Sequence, residues 1–458
     1  MLALRRFSVL LVFSAVAVPE AAASTSQRPN VLVIVTDDQR QGTLSVMPQT
    51  RDWFIQRGVR YPNGYVTTPM CCPSRASIFT GRYAHNHDVH TNWEAGALDQ
   101  ASTVQRYLRE AGYLTALAGK FLNKWDVSVP PSFFDRWAMY SPPLTGDGYY
   151  DNEFNVDGNI TTIGSYATNF LRQRSVGFLE DFEEQDDVPW FLYVAPYAPH
   201  FPARAAARYR QAPVGGWDGN PATAERDLSD KPSWIQARTS DLEDGQQRRR
   251  KQLRALMSVD ELVGALRDAL ADLGERRDTL AIFISDNGYL WGEHGWSGKS
   301  VPYPQATDVP LFARWPGHLA PGQGDTRSVA NVDLAPTILD AAGITPDPRY
   351  PMDGRSLLGS EARTHTFMEW FRAPDTPVRQ DWASVRTADV QYTEYYDAHG
   401  QIAFREYYDL SEDPWQLNNL LGDGAPENDP PDAELTQLSL QLMEDRSCVG
   451  ATGPGSCP

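Results

Sequence analysis

Residues 31–38 read VLVIVTDD: five consecutive apolar residues, a threonine and two aspartates. A strand with one wet face alternates apolar and polar. A run that is apolar at every position suits a strand buried on both faces, as in parallel sheets covered by helices. Three further runs share that character: LTALA at 114–118, FLYVA at 191–195 and LAIFIS at 280–285. Helical patterns lie between them. Ser102 is placed to cap a helix through TVQRYLREAG that Gly112 closes. A long helix is expected from about Gln246 to Leu273, with Leu253, Leu256, Leu262 and Leu266 in its apolar stripe. Asp333 is placed to cap LAPTILDAAG, with Pro336 in its first turn. This alternation predicts an α/β domain, a large, mixed, mostly parallel sheet sandwiched by helices.

After about residue 360 the period changes. HTFMEW, WASVRTADVQYTEYYDA and IAFREYYDL alternate apolar and polar residues and predict a smaller C-terminal antiparallel sheet, closed by a helix near Ala433–Met443. The segments 128–159 and 203–244 are rich in Pro, Gly and Trp and are expected to form long functional loops. The expected boundaries are 28–358 for the main domain, 359–447 for the small α+β subdomain and 448–458 for a tail. Residues 1–23 have the pattern of an export signal: Arg5 and Arg6, an apolar run from Phe7 to Val18, and Ala21-Ala22-Ala23 before Ser24. That run is short for a bilayer span, so a secreted protein without stable membrane insertion is expected.

Export permits disulfides. Of four cysteines, Cys448 and Cys457 flank a Gly-rich tail and can close a small loop, whereas the adjacent Cys71 and Cys72 cannot easily bridge each other. The formal net charge of −18 disfavours nucleic acid and anionic membranes as partners. An anionic substrate would then need a local positive pocket.

Open α/β sheets bind ligands at the carboxyl ends of their strands. Here the strand at 31–35 runs into Asp37-Asp38 and the strand at 280–285 into Asp286-Asn287. Either pair alone reads as a turn or a cap. Together they suit a hard divalent cation with oxygen ligands. His200 follows the strand at 191–195, Lys120 follows LTALA, and Lys299 lies beyond Asp286. Such a set fits a tetrahedral oxyanion ester, with cations neutralising the transferring group and His or Lys protonating the leaving oxygen. In CCPSRASIFTGR, Pro73 is placed to start a helix that Gly81 ends, putting Cys71 at its N-terminus beside Arg75.

With those residues in hand, the chain resembles the type I sulfatases of the alkaline-phosphatase superfamily. Their signature C-x-P-S-R-x-x-x-[apolar]-T-G-[RK] is matched by Cys71 to Arg82, and RPNVLVIVTDDQ, GYLTALAGKF, APHFP, FISDNG, GKSVPY and VPLFARWPG extend the likeness. The resemblance implies that a formylglycine-generating enzyme converts Cys71 to Cα-formylglycine during maturation. It implies one calcium ion, rather than magnesium, held by Asp37, Asp38, Asp286 and Asn287 with residue 71 beside it. The aldehyde hydrate offers one hydroxyl to attack sulfur and a second to expel sulfate. By the same likeness Arg75 steadies the formylglycine, Lys120 and Lys299 neutralise sulfate oxygens, and His200 helps protonate the leaving group.

Many sulfatases read G-K-W-H, whereas this chain has Gly119-Lys120-Phe121-Leu122-Asn123 and no histidine to deprotonate the second hydroxyl. Asn123, His85 and His87 are the candidate substitutes. The same stretch and RYAHNHDVHTN look like the N-acetylglucosamine-6-sulfatase and extracellular endosulfatase branch. That makes His85, Asn86 and His87 candidates for sugar recognition. Alternatively, these three cap and pack the helix after the signature. A small or chain-end sulfated sugar, or an aryl sulfate, is the expected substrate. A phosphomonoester or phosphodiester hydrolase of the same superfamily and a non-catalytic sulfated-glycan binding protein are the competing readings.

Overall fold

The computed structural model describes residues 28–142, 147–185, 187–373, 376–378 and 380–458. The expected export signal at 1–23 lies outside the described residues. All four apolar runs form adjacent parallel strands. In spatial order they are Thr279–Ser285, Asn30–Thr36, Trp190–Ala195 and Leu114–Lys120. In the registers Val31 faces Phe191 on one side and Leu280 on the other. Thr36 lies beside Ser285, which brings the two acidic pairs together at one end of the sheet.

Six shorter strands extend this core to a ten-stranded mixed sheet. Leu311–Arg314 adds antiparallel to Thr279–Ser285, and Arg136–Tyr140 adds parallel to Leu114–Lys120. Asn152–Val156 and the exposed Asn159–Ile163 form a hairpin at the far edge. The segment 128–159 therefore contributes sheet edge as well as loop, a correction to the expected irregular stretch.

Successive side chains of a strand point to opposite faces, so each buried strand feeds two cores. Val31, Val33 and Val35 pack with Phe79, Leu108 and Ile338 on one side. Leu32 and Ile34 pack with Leu171, Phe178 and Leu256 on the other. Helices Cys71–Thr80, Val104–Glu110 and Leu334–Ala341 thus cover one face, and Ala167–Glu183 and Leu242–Asp272 cover the other.

Two helix starts differ from expectation. Thr103, not Ser102, occupies the N-cap of Val104–Glu110, because Ser102 belongs to a short 3-10 turn. Asp333 stands at the cap of Leu334–Ala341 without capping it, since its carboxylate is taken by Arg363 and by the Ala330 and Arg355 N–H groups. Thr366–Trp370, Asp381–Arg386, Val390–Tyr396 and Ile402–Asp409 form the four-stranded antiparallel sheet, and helix Asp432–Asp445 packs on it. Cys448 and Cys457 are disulfide-bonded.

Candidate active site

Helix Cys71–Thr80 is buried along its whole length, so its polar side chains must find partners inside the protein. Ser74 bonds Asn331 at 2.9 Å, Ser77 meets His87 at 3.1 Å, and Thr80 donates to the Ala76 carbonyl. The otherwise unpaired Cys72 N–H at the helix start donates to Asn92 Oδ1, a cap supplied from a distant loop. Gly81 closes the helix with φ of 68°, a left-handed conformation that glycine adopts without a Cβ clash. The result is a rigid rod whose first residue, Cys71, sits against Asp37.

The sheet end delivers the carboxylates. The strand ends at Thr36 and Asp38 turns to φ of 66°, a left-handed conformation that aspartate tolerates better than most residues. That turn aims the Asp38 N–H at Asp286 Oδ1, 3.2 Å away. Asn287 Nδ2 donates to Asp38 Oδ1 at 2.6 Å. Ligand atoms of Asp37, Asp38, Cys71 and His200 all lie within 4.8 Å of one another.

Cations interleave with these anions. Lys120 Nζ lies 2.6 Å from Asp37 Oδ2, and Arg75 Nε lies 2.8 Å from Asp286 Oδ2. Arg75 also donates to the Lys120 carbonyl, while its second terminal nitrogen has no hydrogen-bond partner and faces Asp37 at 3.7 Å. Lys299 Nζ touches Asp38, Asn287 Oδ1 and, at 2.8 Å, the Cys71 sulfur. His200 Nδ1 donates to the Phe201 carbonyl at 2.7 Å, leaving Nε2 to face Asp38 Oδ2 at 3.6 Å.

Burial of Asp37 works to raise its pKa, but Lys120, His200, Arg75 and Lys299 outweigh it and hold the carboxyl below the usual range. Burial and the charge on Asp37 push Asp286 up. Burial opposes the ammonium forms of both Lys120 and Lys299, yet Asp37 for the first and Asp38 for the second leave them raised. The Cys71 thiol is pushed up to about 12 by burial and then by Asp37, despite the two lysines. Cys71 is unmodified here, and its sulfur marks where the reacting oxygens of an oxidised side chain would stand.

The oxygen set fits a hard divalent cation. Asp37, Asp38, Asp286 and Asn287 are all fully or almost fully buried and converge from two strand ends. Lys299 Nζ contacts Asp38, Asn287 and Cys71 at once, so one positive charge already bridges three of the expected ligands. Burying several carboxylates together needs such a positive centre.

The remaining expected residues are placed elsewhere. His85 pairs with Glu369 through Nδ1 and meets the Cys448 carbonyl through Nε2. Asn86 donates to Asp353 and to that same carbonyl. His87 is buried between Ser77 Oγ and the Val89 N–H. His85 and Asn86 thus tie the segment after the signature helix to the C-terminal part of the chain, and His87 ties that helix to its own following turn, as in the capping-and-packing alternative. The ring nitrogens of both histidines are thereby engaged by protein groups. Leu122 is fully buried in the core. Asn123 keeps a buried Oδ1 with no hydrogen-bond partner, and its carbonyl lies 3.9 Å from Cys72 Sγ.

Gln252 escaped the sequence reading. Its side-chain amide donates to the Asp38 and Pro199 carbonyls and its oxygen accepts from Trp291, locking the long helix to both site loops. The available signal was a glutamine directly beside Leu253 on a helix read only for its apolar stripe. Tyr197, whose ring lies under Lys120 at 5.9 Å, carried no comparable signal.

Comparisons with known proteins point to one family. The Sulfatase family model matches residues 29–344, and the model of the N-sulphoglucosamine sulphohydrolase C-terminal region matches 292–444. The N-acetylglucosamine-6-sulfatase of Homo sapiens is 31% identical over 491 residues, covering 94% of this chain and 86% of its own. An extracellular sulfatase SULF-1 homologue of Drosophila melanogaster is 33% identical over 362 residues, 74% of this chain, and the chain spans only 32% of that protein's length. A solved structure in complex with its substrate D-glucosamine-2-N,6-O-disulfate superposes with a TM-score of 0.75 at 24% identity, covering 91% of this chain and 97% of the other.

Proposed function

This chain belongs to the sulfatase family, and on that premise we propose that it is a secreted hydrolase of sulfate monoesters, acting on a sulfated sugar such as N-acetylglucosamine-6-sulfate or on an aryl sulfate. The relatives named above support the sugar, and the extracellular ones support export. Among the described residues no helix is long and apolar enough to cross a membrane. The observation that carries the reading is the buried cluster of Asp37, Asp38, Asp286 and Asn287 around Cys71, threaded by Lys120, Lys299 and Arg75.

Asp37, Asp38, Asp286 and Asn287 would hold a calcium ion, which when bound supplies fixed positive charge for a sulfate oxygen. Formylglycine made at Cys71 supplies the nucleophilic hydroxyl that an unmodified thiol pushed up to about 12 lacks. Lys299 presents its ammonium group to residue 71 and Lys120 presents its own to the adjoining Asp37, and both neutralise charge that gathers on the transferring sulfate. Arg75 holds Asp286 and the Lys120 backbone in register, so the cations are preorganised before substrate arrives. His200 has its Nδ1 committed to a carbonyl, which fixes the ring and leaves Nε2 to carry the proton to the leaving alcohol. Because Leu122 is core, His200 is also the candidate base for sulfate release. The maturation partner is a formylglycine-generating enzyme.

Mass analysis of the peptide Tyr61–Arg75 from active protein tests this directly. An aldehyde or its hydrate at position 71 is expected, with Cys71→Ala inactive on 4-nitrophenyl sulfate. A free thiol in fully active protein would overturn the nucleophile, and faster turnover of 4-nitrophenyl phosphate would overturn the ester class.

A further inference from the structure

The chain carries a net charge of −18, yet four cationic residues converge on one cleft of about 460 Å³ beside the His200 loop. Arg204 and Arg210 come from the loop that follows His200, and Lys251 and Arg254 from helix Leu242–Asp272, with Tyr150 as an aromatic wall. The cleft begins at Pro202, two residues past His200, and Tyr149, next to Tyr150, donates its hydroxyl to the His200 carbonyl. Gln252, between Lys251 and Arg254, bonds the Asp38 and Pro199 carbonyls. The cleft and the acidic cluster therefore share the same loop and the same helix.

Only one of these charges is spent on an ion pair. Arg204 reaches Asp147 at 2.5 Å, and Arg254 donates to the Ala212 carbonyl. Among the described residues no carboxylate lies within ion-pair distance of Arg210, Lys251 or Arg254. Arg208, by contrast, turns away to Glu261. One turn before Lys251, Arg248 lies 5.4 Å from the Phe201 ring centroid and keeps a buried Nε without a partner. Residues three apart share a helix face, so Arg248, Lys251 and Arg254 form one cationic stripe. In a protein of net charge −18 this solvent-facing stripe without carboxylate partners among the described residues is a local exception, and it supplies the positive pocket that an anionic group needs.

We propose that this cleft is a subsite for a second anionic group, sulfate or carboxylate, on the saccharide unit next to the one whose ester is cleaved. The inference rests on the sulfatase reading for its orientation, though not for its binding. Guanidinium groups give paired hydrogen bonds to planar or tetrahedral anions, and Lys251 adds a mobile point charge. The chain-end substrate is then an oligosaccharide with charge on its neighbour, not an isolated sugar ester.

The test measures equilibrium binding to the full-length Cys71→Ala protein, which removes turnover from the readout. Three disaccharide probes each carry one 6-O-sulfate at the terminal sugar. The neighbouring sugar bears a second sulfate, a uronate carboxylate or neither. Tighter binding of one or both doubly charged probes is expected, about tenfold over the neutral-neighbour probe at low salt. Arg210→Gln/Lys251→Gln should abolish that preference, whereas Arg349→Gln, an exposed arginine paired with Asp347, should keep it. Which probe gains identifies the anion. Equal affinity for all three probes, or a preference that survives the double substitution in a protein of unchanged melting temperature, overturns the subsite. Wild-type protein without activity on 4-nitrophenyl sulfate would sink the sulfatase reading separately and leave the binding result standing.

Discussion

His87 offers a quantitative check on the placement of the A-H-N-H stretch. Its ring is buried, Nδ1 accepts from the Val89 N–H and Nε2 meets Ser77 Oγ, so the neutral form satisfies both nitrogens. A second proton would sit on Nδ1 and break the Val89 bond. Burial, and then the charges of Arg82 and His90, hold its pKa down to about 3. In the unfolded chain the same imidazole titrates near ~6.5. Above ~6.5 neither state is protonated, so the residue adds no pH dependence. As pH falls below that, the unfolded chain takes up a proton that the folded one refuses, and stability drops by about 1.4 kcal/mol per unit. From pH ~6.5 to ~4.5 the loss is about 2.3 kcal/mol, and about 4 kcal/mol once pH reaches ~3, where the folded imidazole is itself half protonated. His87→Asn keeps an acceptor for Val89 and costs about 1–3 kcal/mol at neutral pH. Urea unfolding of both proteins at pH 7.0 and pH 4.5 should show the gap between them closing by roughly 2–3 kcal/mol on acidification. KM for a sulfated sugar should stay within about twofold, because the ring touches only protein groups. Parallel stability curves, or a KM rise of tenfold with stability intact, would refute the argument. His85 runs with the opposite sign. Although burial opposes its charge, Glu369 raises its pKa, so its contribution is full below ~6.5 and is lost as pH rises through the raised value.

Removing calcium with a chelator should abolish turnover and lower the melting temperature, because Asp37, Asp38 and Asp286 then lie close together with one cation fewer beside Arg75, Lys120 and Lys299. Calcium at about a hundred times its dissociation constant should restore about 2.7 kcal/mol, magnesium less, and indifference of both stability and activity to chelation would rule out the metal. Lys120→Met strips the cation at 2.6 Å from a fully buried Asp37. A loss of about 3–5 kcal/mol in metal-free protein is expected by chemical denaturation, and a neutral result would mean that Arg75, His200 and Lys299 suffice without it. Cys448→Ala opens a loop of sequence separation 9. A loss of about 2.5 kcal/mol follows from loop entropy, and an unchanged melting temperature would show that Asp353 and the His85–Asn86 contacts hold the tail unaided.

The sequence by itself determined the scaffold and the reacting groups. Unbroken apolar runs can be buried on both faces only in a covered sheet, so 31–35, 114–118, 191–195 and 280–285 were legible as its core. Parallel strands end on one edge, so the polar residues after those runs had to meet there, and Asp37, Asp38, Lys120, His200, Asp286 and Asn287 did. The CCPSR helix was legible in the same way, from its composition and its terminal glycine. Tertiary structure alone decided what depends on which polar atoms are already spoken for. His85 and Asn86 bind Glu369, Asp353 and the Cys448 carbonyl, partners more than two hundred residues away in sequence. Leu122 sits in the core where a histidine was sought. The cationic cleft joins residues 204 and 210 to 251 and 254, a juxtaposition that no local pattern encodes. Local chemistry states what a side chain is able to do. Only packing assigns its hydrogen bonds, and with them its role.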